Sequence, residues 1–309
     1  MGKIAFLFSG QGAQHSGMGR DLYDGNAAAR ETFDQLERLR PGTLRQCFEA
    51  GEGELTLTSN TQPCLFAVEL AAARAITAAG VRPDALAGFS LGELTALTYS
   101  GAASVEDGFR LVCRRGEYMQ EASDAHPTGM VAVVKLPDET VEQLCAGFEQ
   151  VWPVNYNCPG QVVVAGDKEE LTAFCQQVKA AGGRGLPLKV SGAFHTPFMA
   201  QAGERFGLEL AQTAFSAPAQ TLYSDVTARP YQPPYEQQLP QLLQQQVCSP
   251  VRWTAIIQHM IETGVDTVVE LGPGQTLCGF VRKTDAAVRT LHVEDCASLA
   301  AAVEGVASC

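Results

Sequence analysis

The 309-residue sequence predicts an α/β protein in which helices cover both faces of a parallel sheet, with a small subdomain inserted into it. Two observations lead to this prediction. Short apolar runs alternate with helical patterns through the first part of the chain, as in parallel sheets whose crossovers are helices. The order of elements then changes to strand, helix, two strands, helix and strand, which is the order of a ferredoxin-like unit.

The first part of the chain begins with an apolar run that ends at glycines, which predicts a buried strand. A later alanine-rich stretch is apolar throughout, which predicts a buried helix. In chain order the predicted elements are a strand at 3–8, a glycine-rich loop at 9–14, and helices at 21–39, 61–79, 91–99 and 105–119, with a second strand at 85–88.

The middle of the chain supplies the elements of the small unit. They are strands at 130–136, 152–157, 161–166 and 185–190 and helices at 138–148 and 168–181. We therefore predict a ferredoxin-like subdomain at 127–191, inserted into an α/β-hydrolase-like domain formed by 1–126 and 192–309. The remaining predicted elements are a helix at 197–213, a proline- and glutamine-rich loop at 231–246, a helix at 253–262 and a strand at 267–271.

Composition excludes several classes of protein. A net charge of -12 disfavours nucleic-acid binding, which needs clustered basic residues. The ten cysteines form no CxxC motif or zinc-spaced cluster, which favours a reducing cytoplasm and predicts no metal site. No apolar run is long enough for a signal peptide or a membrane span. Arg282, Lys283, Lys179 and Arg184 are the candidates for a local positive patch.

The strongest local signal is the G-x-S-x-G motif at Gly88–Gly92. It lies between a predicted strand and a predicted helix, where a sharp turn would expose Ser90 at the edge of the sheet. The helix that follows would direct main-chain N–H groups, including that of Leu91, at an oxyanion on the substrate. The alternative interpretation of the motif alone is an ordinary strand-to-helix turn capped by Ser90. The strand–turn–helix context favours a nucleophile.

A serine nucleophile needs a base. Of the five histidines, His195 lies in a loop between a strand and a helix, where open α/β sheets place catalytic residues. The loop after the first strand lacks the third glycine of a dinucleotide fingerprint, so Gln11 there is a candidate donor to an oxyanion. Arg115 lies on an amphipathic helix beside Arg114. Such a pair is often solvated, yet a guanidinium is also the best partner for a substrate carboxylate.

Together these residues resemble the malonyl-CoA:acyl-carrier-protein transacylase family, which includes the acyltransferase domains of polyketide synthases. The resemblance runs over nearly the whole chain. The matching motifs, in order, are Phe8–Gly12, Thr61–Pro63, Gly88–Glu93, Arg115–Glu117, Asn155–Gln161, Ala193–His195, Pro250–Trp253 and Gly272–Gly274.

The resemblance implies a role for each matching position. Ser90 takes the acyl group and His195 acts first as base and then as acid. Gln11 and the Leu91 N–H form the oxyanion hole. Arg115 binds the malonyl carboxylate, with Gln62 nearby. A main-chain carbonyl at Arg252 would orient the histidine.

The same resemblance implies malonyl-CoA and an acyl carrier protein as partners, a monomer in the cytoplasm, no membrane or nucleic-acid partner, and no cofactor. Phe89 stands where the family usually has histidine, beside the acyl pocket, so it bears on acyl selectivity and rate. Phe194 matches the phenylalanine of malonyl-selective members. The expected pathway is fatty acid or polyketide synthesis.

Three other interpretations stay open at this point. A serine hydrolase or thioesterase would share the G-x-S-x-G motif but would not require Gln11 and Arg115. A non-catalytic module that binds a carrier protein would bind without acylating Ser90. An acyltransferase subunit of another malonyl pathway, such as malonate decarboxylase, would use the same chemistry.

Overall fold

A computed structural model describes residues 2–308 and contains two sheets. The strands are β1 Lys3–Phe8, β2 Ala85–Gly88, β3 Thr128–Val134, β4 Val151–Cys158, β5 Gln161–Asp167, β6 Arg184–Pro187, β7 Thr221–Leu222, β8 Val265–Leu271 and β9 Arg289–Val293. The helices of the first half are α1 Arg20–Gly25, α2 Ala27–Leu39, α3 Thr43–Glu49, α4 Glu52–Leu55, α5 Thr58–Ala78, α6 Gly92–Tyr99 and α7 Val105–Asp124. Those of the second half are α8 Asp138–Cys145, α9 Lys168–Ala180, a 3-10 helix at Pro197–Met199, α10 Ala200–Ala211, α11 Tyr235–Gln246, α12 Trp253–Glu262, α13 Thr276–Thr284 and α14 Cys296–Ala307.

The larger sheet has the strand order β7-β2-β1-β8-β9, and every pairing in it is parallel. The predicted α/β class with a parallel sheet is therefore confirmed. Because all strands run the same way, the loops that follow β1, β2 and β8 open at one edge of the sheet. The candidate residues Gln11 and Ser90 follow β1 and β2, so the topology places them side by side at that edge.

The two faces of this sheet bury different sets of side chains because successive strand residues point in opposite directions. Phe6 and Phe8 of β1 join the larger core, which is built mainly around α5. Ala5 and Leu7 join a second core that contains Trp253 of α12. The near-continuous apolar run of β1 follows from burial on both faces.

The smaller sheet is antiparallel, with the strand order β4-β5-β3-β6. Its own core includes Val133, Val162 and Phe174, the last from α9. The main-chain N–H of Tyr156 on β4 donates to Val251 O over 2.9 Å, which ties this sheet to the segment before α12. The small sheet is therefore joined by its strand β4 to the larger part of the molecule.

The structure differs from the sequence prediction in several places. The helix predicted at 21–39 is two helices, because Asn26 is extended and its side chain caps the second one. The segment predicted as a loop at 231–246 contains α11, which forms because Leu239, Leu242 and Leu243 are buried on one side of it. The sequence analysis also did not predict α3, α4, the short strand β7, or the elements after Gly274, which are α13, β9 and α14.

Candidate active site

Ser90 lies in the turn between β2 and α6 with a positive φ of 56°. The flanking glycines are required by contact distances. A Cβ at Gly88 would lie 1.9 Å from the Gly92 carbonyl carbon, and one at Gly92 would lie 2.5 Å from the Phe8 carbonyl oxygen. A non-glycine residue held in the left-handed region costs roughly 1–3 kcal/mol, so the surrounding structure must stabilise this turn.

His195 lies beside this turn, as the sequence predicts. Its Nε2 is 2.8 Å from Ser90 Oγ, and its Nδ1 is 2.8 Å from the main-chain carbonyl oxygen of Gln246. A carbonyl only accepts, so Nδ1 carries the proton and Nε2 is left to accept the proton of the serine hydroxyl. This arrangement is that of a nucleophile and its base.

The carbonyl that orients His195 comes from Gln246, so the expectation of Arg252 is wrong. Gln246 is the last residue of α11, and carbonyls in the last turn of a helix lack intrahelical partners. The main chain of Arg252 instead donates its N–H to Asp225 O over 3.1 Å.

The electrostatics keep His195 neutral. Burial, and next the charge of Arg115, lower the pKa of His195 to about 4. At neutral pH the imidazole is therefore a free base. Burial also lowers the pKa of Arg115 to about 10, which still leaves the guanidinium charged at neutral pH.

Arg115 is 1% exposed and reaches the nucleophile from α7. One of its terminal nitrogens, Nη2, is 3.1 Å from Ser90 Oγ and 2.9 Å from Gln246 Oε1. Within residues 2–308, its buried Nε and Nη1 atoms have no hydrogen-bond partner. Buried donors without a partner are rare, and unpartnered donors on a buried guanidinium favour the binding of an anionic group such as a carboxylate.

The expected oxyanion donors lie near Ser90 but are less tightly fixed. The Gln11 side-chain amide donates to Thr58 Oγ1 over 3.3 Å and does not point at Ser90. Leu91 precedes α6, and neither its main-chain N–H nor that of Gln11 hydrogen bonds to another group in the described part of the chain. These two free main-chain N–H groups are the donors available to an oxyanion.

The remaining predicted residues are Gln62, Phe194 and Phe89. Gln62 is buried on α5, its amide donates to Met119 Sδ over 3.5 Å, and its Oε1 has no partner within residues 2–308. Phe194 is 5% exposed and belongs to the main core. Phe89 packs against Trp253 with ring centroids 5.4 Å apart.

Phe89 also lines a cleft of about 220 Å³ between the two sheets. The other residues that line it are Ser9–Ala13, Ala132, Asn155, Asn157, Gln161, Val163, Leu188, Glu270, Thr276, Leu277 and Phe280. Asn155 and Asn157 are 8% and 4% exposed, and their Oδ1 atoms have no partner among the described residues. The cleft therefore combines an apolar wall with buried polar groups, and Phe89, the residue before Ser90, is part of its lining.

Residues 2–308 contain no cluster of three or more His, Cys, Asp or Glu side chains arranged to hold a metal ion. In the same residues, no helix combines the length and the apolar character that crossing a membrane would need.

Residues 5–302 match the family of acyl transferase domains. The chain belongs to this family. It is 36% identical over 310 residues to the malonyl CoA-acyl carrier protein transacylase of Bacillus subtilis (strain 168), with 98% of this chain and 97% of that protein covered. The enzyme is thus an acyltransferase, and the family resemblance is confirmed.

Two solved structures agree with this assignment. The malonyl CoA-acyl carrier protein transacylase from Clostridium perfringens Atcc 13124 has a TM-score of 0.94 at 36% identity, covering 99% of this chain and 98% of that one. A malonyl-transacylase in complex with its type II PKS acyl-carrier protein has a TM-score of 0.94 at 33% identity, covering 98% and 99%.

Three residues of the acyltransferase site were missed by the sequence analysis. Gln246 orients the base and contacts Arg115, while Asp225 Oδ2 accepts the Ser90 N–H over 2.7 Å. Glu93 accepts from the Gln246 amide over 2.6 Å. The one available signal in the sequence was Glu93, an acidic residue that directly follows the G-x-S-x-G motif at the start of a predicted helix.

Proposed function

We propose that the acyltransferase transfers a malonyl group from malonyl-CoA to the phosphopantetheine thiol of an acyl carrier protein, through an ester on Ser90. The observation that carries the proposal is the guanidinium of Arg115, which contacts Ser90 Oγ and holds two unpartnered donors. A malonyl group differs from an acetyl group by one carboxylate, and that carboxylate can accept from the buried guanidinium. The names of the relatives agree with this substrate and this acceptor.

The first half of the reaction acylates the enzyme. His195 Nε2 takes the proton of Ser90, and Oγ forms a bond to the thioester carbon. The tetrahedral intermediate then collapses, the carbon–sulfur bond breaks, and the proton on Nε2 passes to the departing sulfur of coenzyme A. The positive charge of Arg115, 3.1 Å from Oγ, favours the developing alkoxide.

The second half reverses these roles. The thiol of the carrier protein loses its proton to Nε2 and its sulfur attacks the ester carbon. The bond from that carbon to Ser90 Oγ breaks, and Nε2 returns the proton to the serine. The two steps give ping-pong kinetics and use only the side chains of this enzyme and its two thiol partners.

We infer that the main-chain N–H groups of Gln11 and Leu91 bind the oxyanion in both steps. They flank Ser90 from two different loops, one after β1 and one before α6. The Leu91 N–H also lies at the start of a helix, where the dipole favours negative charge. Each such donor contributes about 10²–10³-fold to the rate.

We infer that the cleft beside Phe89 holds the pantetheine arm that both substrates share. The arm carries two amides in an otherwise apolar chain. The unpartnered Oδ1 atoms of Asn155 and Asn157 accept its N–H groups, and Phe280 lies along its methylenes. Lys283 follows on the same helix and contacts Gln161 over 3.3 Å at the cleft, where it is close to the anionic end of coenzyme A.

The wider organisation is part of the same proposal. Residues 1–126 and 192–309 form an α/β-hydrolase-like domain, and 127–191 form a ferredoxin-like subdomain that covers the cleft. The enzyme acts in the cytoplasm as a monomer, because one chain supplies Ser90, His195 and Arg115. The malonyl carrier protein that it makes serves fatty acid or polyketide synthesis. Phe194, buried beside His195, restricts the acyl group to malonyl.

Intact-protein mass spectrometry tests the proposal. The wild type, Ser90→Ala, and the exposed control Ser16→Ala are mixed with malonyl-CoA or acetyl-CoA. We expect a malonyl adduct on the wild type and on Ser16→Ala, none on Ser90→Ala, and little acetyl adduct on any of them. A wild type without an adduct would contradict acyl transfer through Ser90 and would favour the carrier-binding module.

The same samples distinguish transferase from hydrolase. The malonyl adduct is incubated with and without a phosphopantetheinylated carrier protein. We expect it to persist in buffer and to move to the carrier thiol when that is added. Rapid loss of the adduct in buffer alone would indicate a serine hydrolase or thioesterase instead.

A further inference from the structure

Two carboxyl groups are buried directly behind Ser90, one on α6 and one on the segment after β7. Glu93 and Asp225 are each 0% exposed, and one side-chain amide, that of Gln246, bridges them. The Gln246 amide donates to both, over 2.6 Å to Glu93 Oε2 and 3.2 Å to Asp225 Oδ2. Two carboxylates held by one donor repel each other when both are ionised, which favours a proton on one of them.

The charges around the two carboxyl groups also favour a proton on one of them. Arg115 supplies the positive charge, and the Tyr231 hydroxyl donates to Glu93 Oε1. Farther out, His195 and Cys248 face Arg115 and not the carboxyls. Two ionised carboxylates against one guanidinium would leave a buried charge uncompensated, whereas a single shared proton balances the charges.

The pKa shifts agree with this count. Burial raises the pKa of Glu93 to about 7. Burial, and next the charge of Glu93, raise the pKa of Asp225 well above its ordinary range. A shared proton is therefore retained at a pH where an exposed aspartate is fully ionised.

The pair is connected to the nucleophile through the main chain of Ser90. The Ser90 N–H donates to Asp225 Oδ2 over 2.7 Å, and the Ser90 carbonyl oxygen accepts from the Gln246 amide over 2.7 Å. These two bonds hold both peptide groups of a residue whose φ is 56°. Without them, a non-glycine residue would relax from the left-handed region.

We propose that Glu93 and Asp225 share one proton and act as a positioning pair. The pair holds the Ser90 backbone so that Oγ stays within hydrogen-bond distance of His195 Nε2. The pair touches no reacting atom. Loss of the shared proton places a second negative charge behind Ser90. The repulsion between the carboxylates then moves them apart and weakens the hydrogen bonds that hold the Ser90 backbone. The effect on rate rests on the proposed role of Ser90 as the nucleophile, whereas the shared proton does not.

Asp225→Asn is the matched variant. Its side-chain oxygen can accept from the Ser90 N–H and from the Gln246 amide as the carboxylate oxygen does, so these two hydrogen bonds are kept while the shared proton is removed. Asp225→Ala removes both. We measure the rate of Ser90 malonylation against pH for the wild type and both variants. We also record the infrared difference spectrum of wild type minus Asp225→Asn at about pH 6, where an ordinary carboxyl group is ionised.

We expect the difference spectrum to contain the carbonyl stretch of a protonated carboxylic acid. Buried Glu69, whose pKa burial also raises, contributes equally to both proteins and cancels. The wild-type rate should fall by about tenfold per pH unit once the shared proton is lost, and Asp225→Asn should lack this decline. Asp225→Ala should be at least about tenfold slower than Asp225→Asn at every pH, because the Ser90 N–H loses its acceptor.

Two results would each overturn the proposal: a difference spectrum without the protonated-acid band, or the same alkaline decline in the wild type and Asp225→Asn. Absence of malonylation in all proteins would count against the nucleophile alone, since the infrared measurement still decides whether the proton is shared. If Asp225→Asn does not fold, Glu93→Gln removes the same proton and replaces it in the difference spectrum.

Discussion

The two sides of Ser90 are built differently. On one side His195 and Arg115 are 4% and 1% exposed and lie 2.8 and 3.1 Å from Oγ. On the other side Gln11 is partly exposed, and its amide is bonded to Thr58 at 3.3 Å. The proposed base and the proposed carboxylate partner are therefore fixed in the free enzyme, whereas the proposed oxyanion site depends on main-chain N–H groups. Substitutions on the two sides should differ in size accordingly.

Removing the base should have the largest effect. We expect His195→Ala to lower the rate of Ser90 acylation by about 10²–10⁴-fold, since no other group near Oγ can accept its proton. Stopped-flow or quenched-flow acylation with malonyl-CoA measures this. His126→Ala, which alters an exposed loop histidine, serves as the control. A loss of less than tenfold would show that the fixed side of the site does not contain the base.

Removing the guanidinium should be next in size and should depend on the substrate. We expect Arg115→Ala to lower kcat/KM for malonyl-CoA by about 10²-fold or more, because truncating one partner of a buried charge pair costs roughly 3–5 kcal/mol. Acetyl transfer should fall much less, because it loses only the stabilisation of the developing alkoxide. The adjacent Arg114→Ala, at an arginine whose side chain is 50% exposed, provides the matched control. Equal losses for both substrates would contradict a carboxylate partner.

The buried side also predicts an unusual pH dependence. Because the pKa of His195 is lowered to about 4, kcat/KM for acylation should stay high until the pH falls toward that value. At about pH 5, a histidine with its ordinary pKa would be only about 3% neutral. The depressed pKa also means that the stabilising contribution of this neutral histidine is complete above the ordinary pKa and is lost as the pH falls through about 4.

Arg115→Ala sharpens the pH prediction. Its charge lowers the pKa of His195, so its removal should move the acidic decline in the rate to higher pH. Thermal unfolding measured over the same pH range shows whether a loss of rate is a loss of structure. A decline that stays in place would leave burial as the sole cause of the shift.

The buried side of the site was also the more predictable one from sequence. Ser90 and His195 carry signals in their residue type and in their place between a strand and a helix. Arg115 was placed by the helical pattern of α7. Gln246 was not predicted, because its contribution to the base is a main-chain carbonyl and any residue at that position has one.

The miss at Gln246 follows from the miss at α11. Pro240 and the many glutamines of 235–246 suggest a loop, and the three leucines that make the segment a helix gain their stability from burial in the tertiary structure. Likewise, α13 and β9 are positioned by packing along β8, and α14 is positioned by packing on β9 and α5. In contrast, β1, β2 and the strands of the small sheet are marked by short, strongly apolar runs in the local sequence. Their positions were therefore predicted to within a few residues.

The smallest effect is expected on the open side. Gln11→Ala should lower the acylation rate by less than about tenfold, because the variant keeps the main-chain N–H that is free to bind the oxyanion, and loses only an amide that contacts Thr58. The exposed Gln177→Ala is the control. A loss of about 10²–10³-fold is the cost of a full oxyanion donor. That result would mean that the Gln11 amide leaves Thr58 and turns toward Ser90 in the transition state. Both sides of the nucleophile would then contribute strongly to the rate, and they would differ only in whether their side chains are in position before the reaction begins.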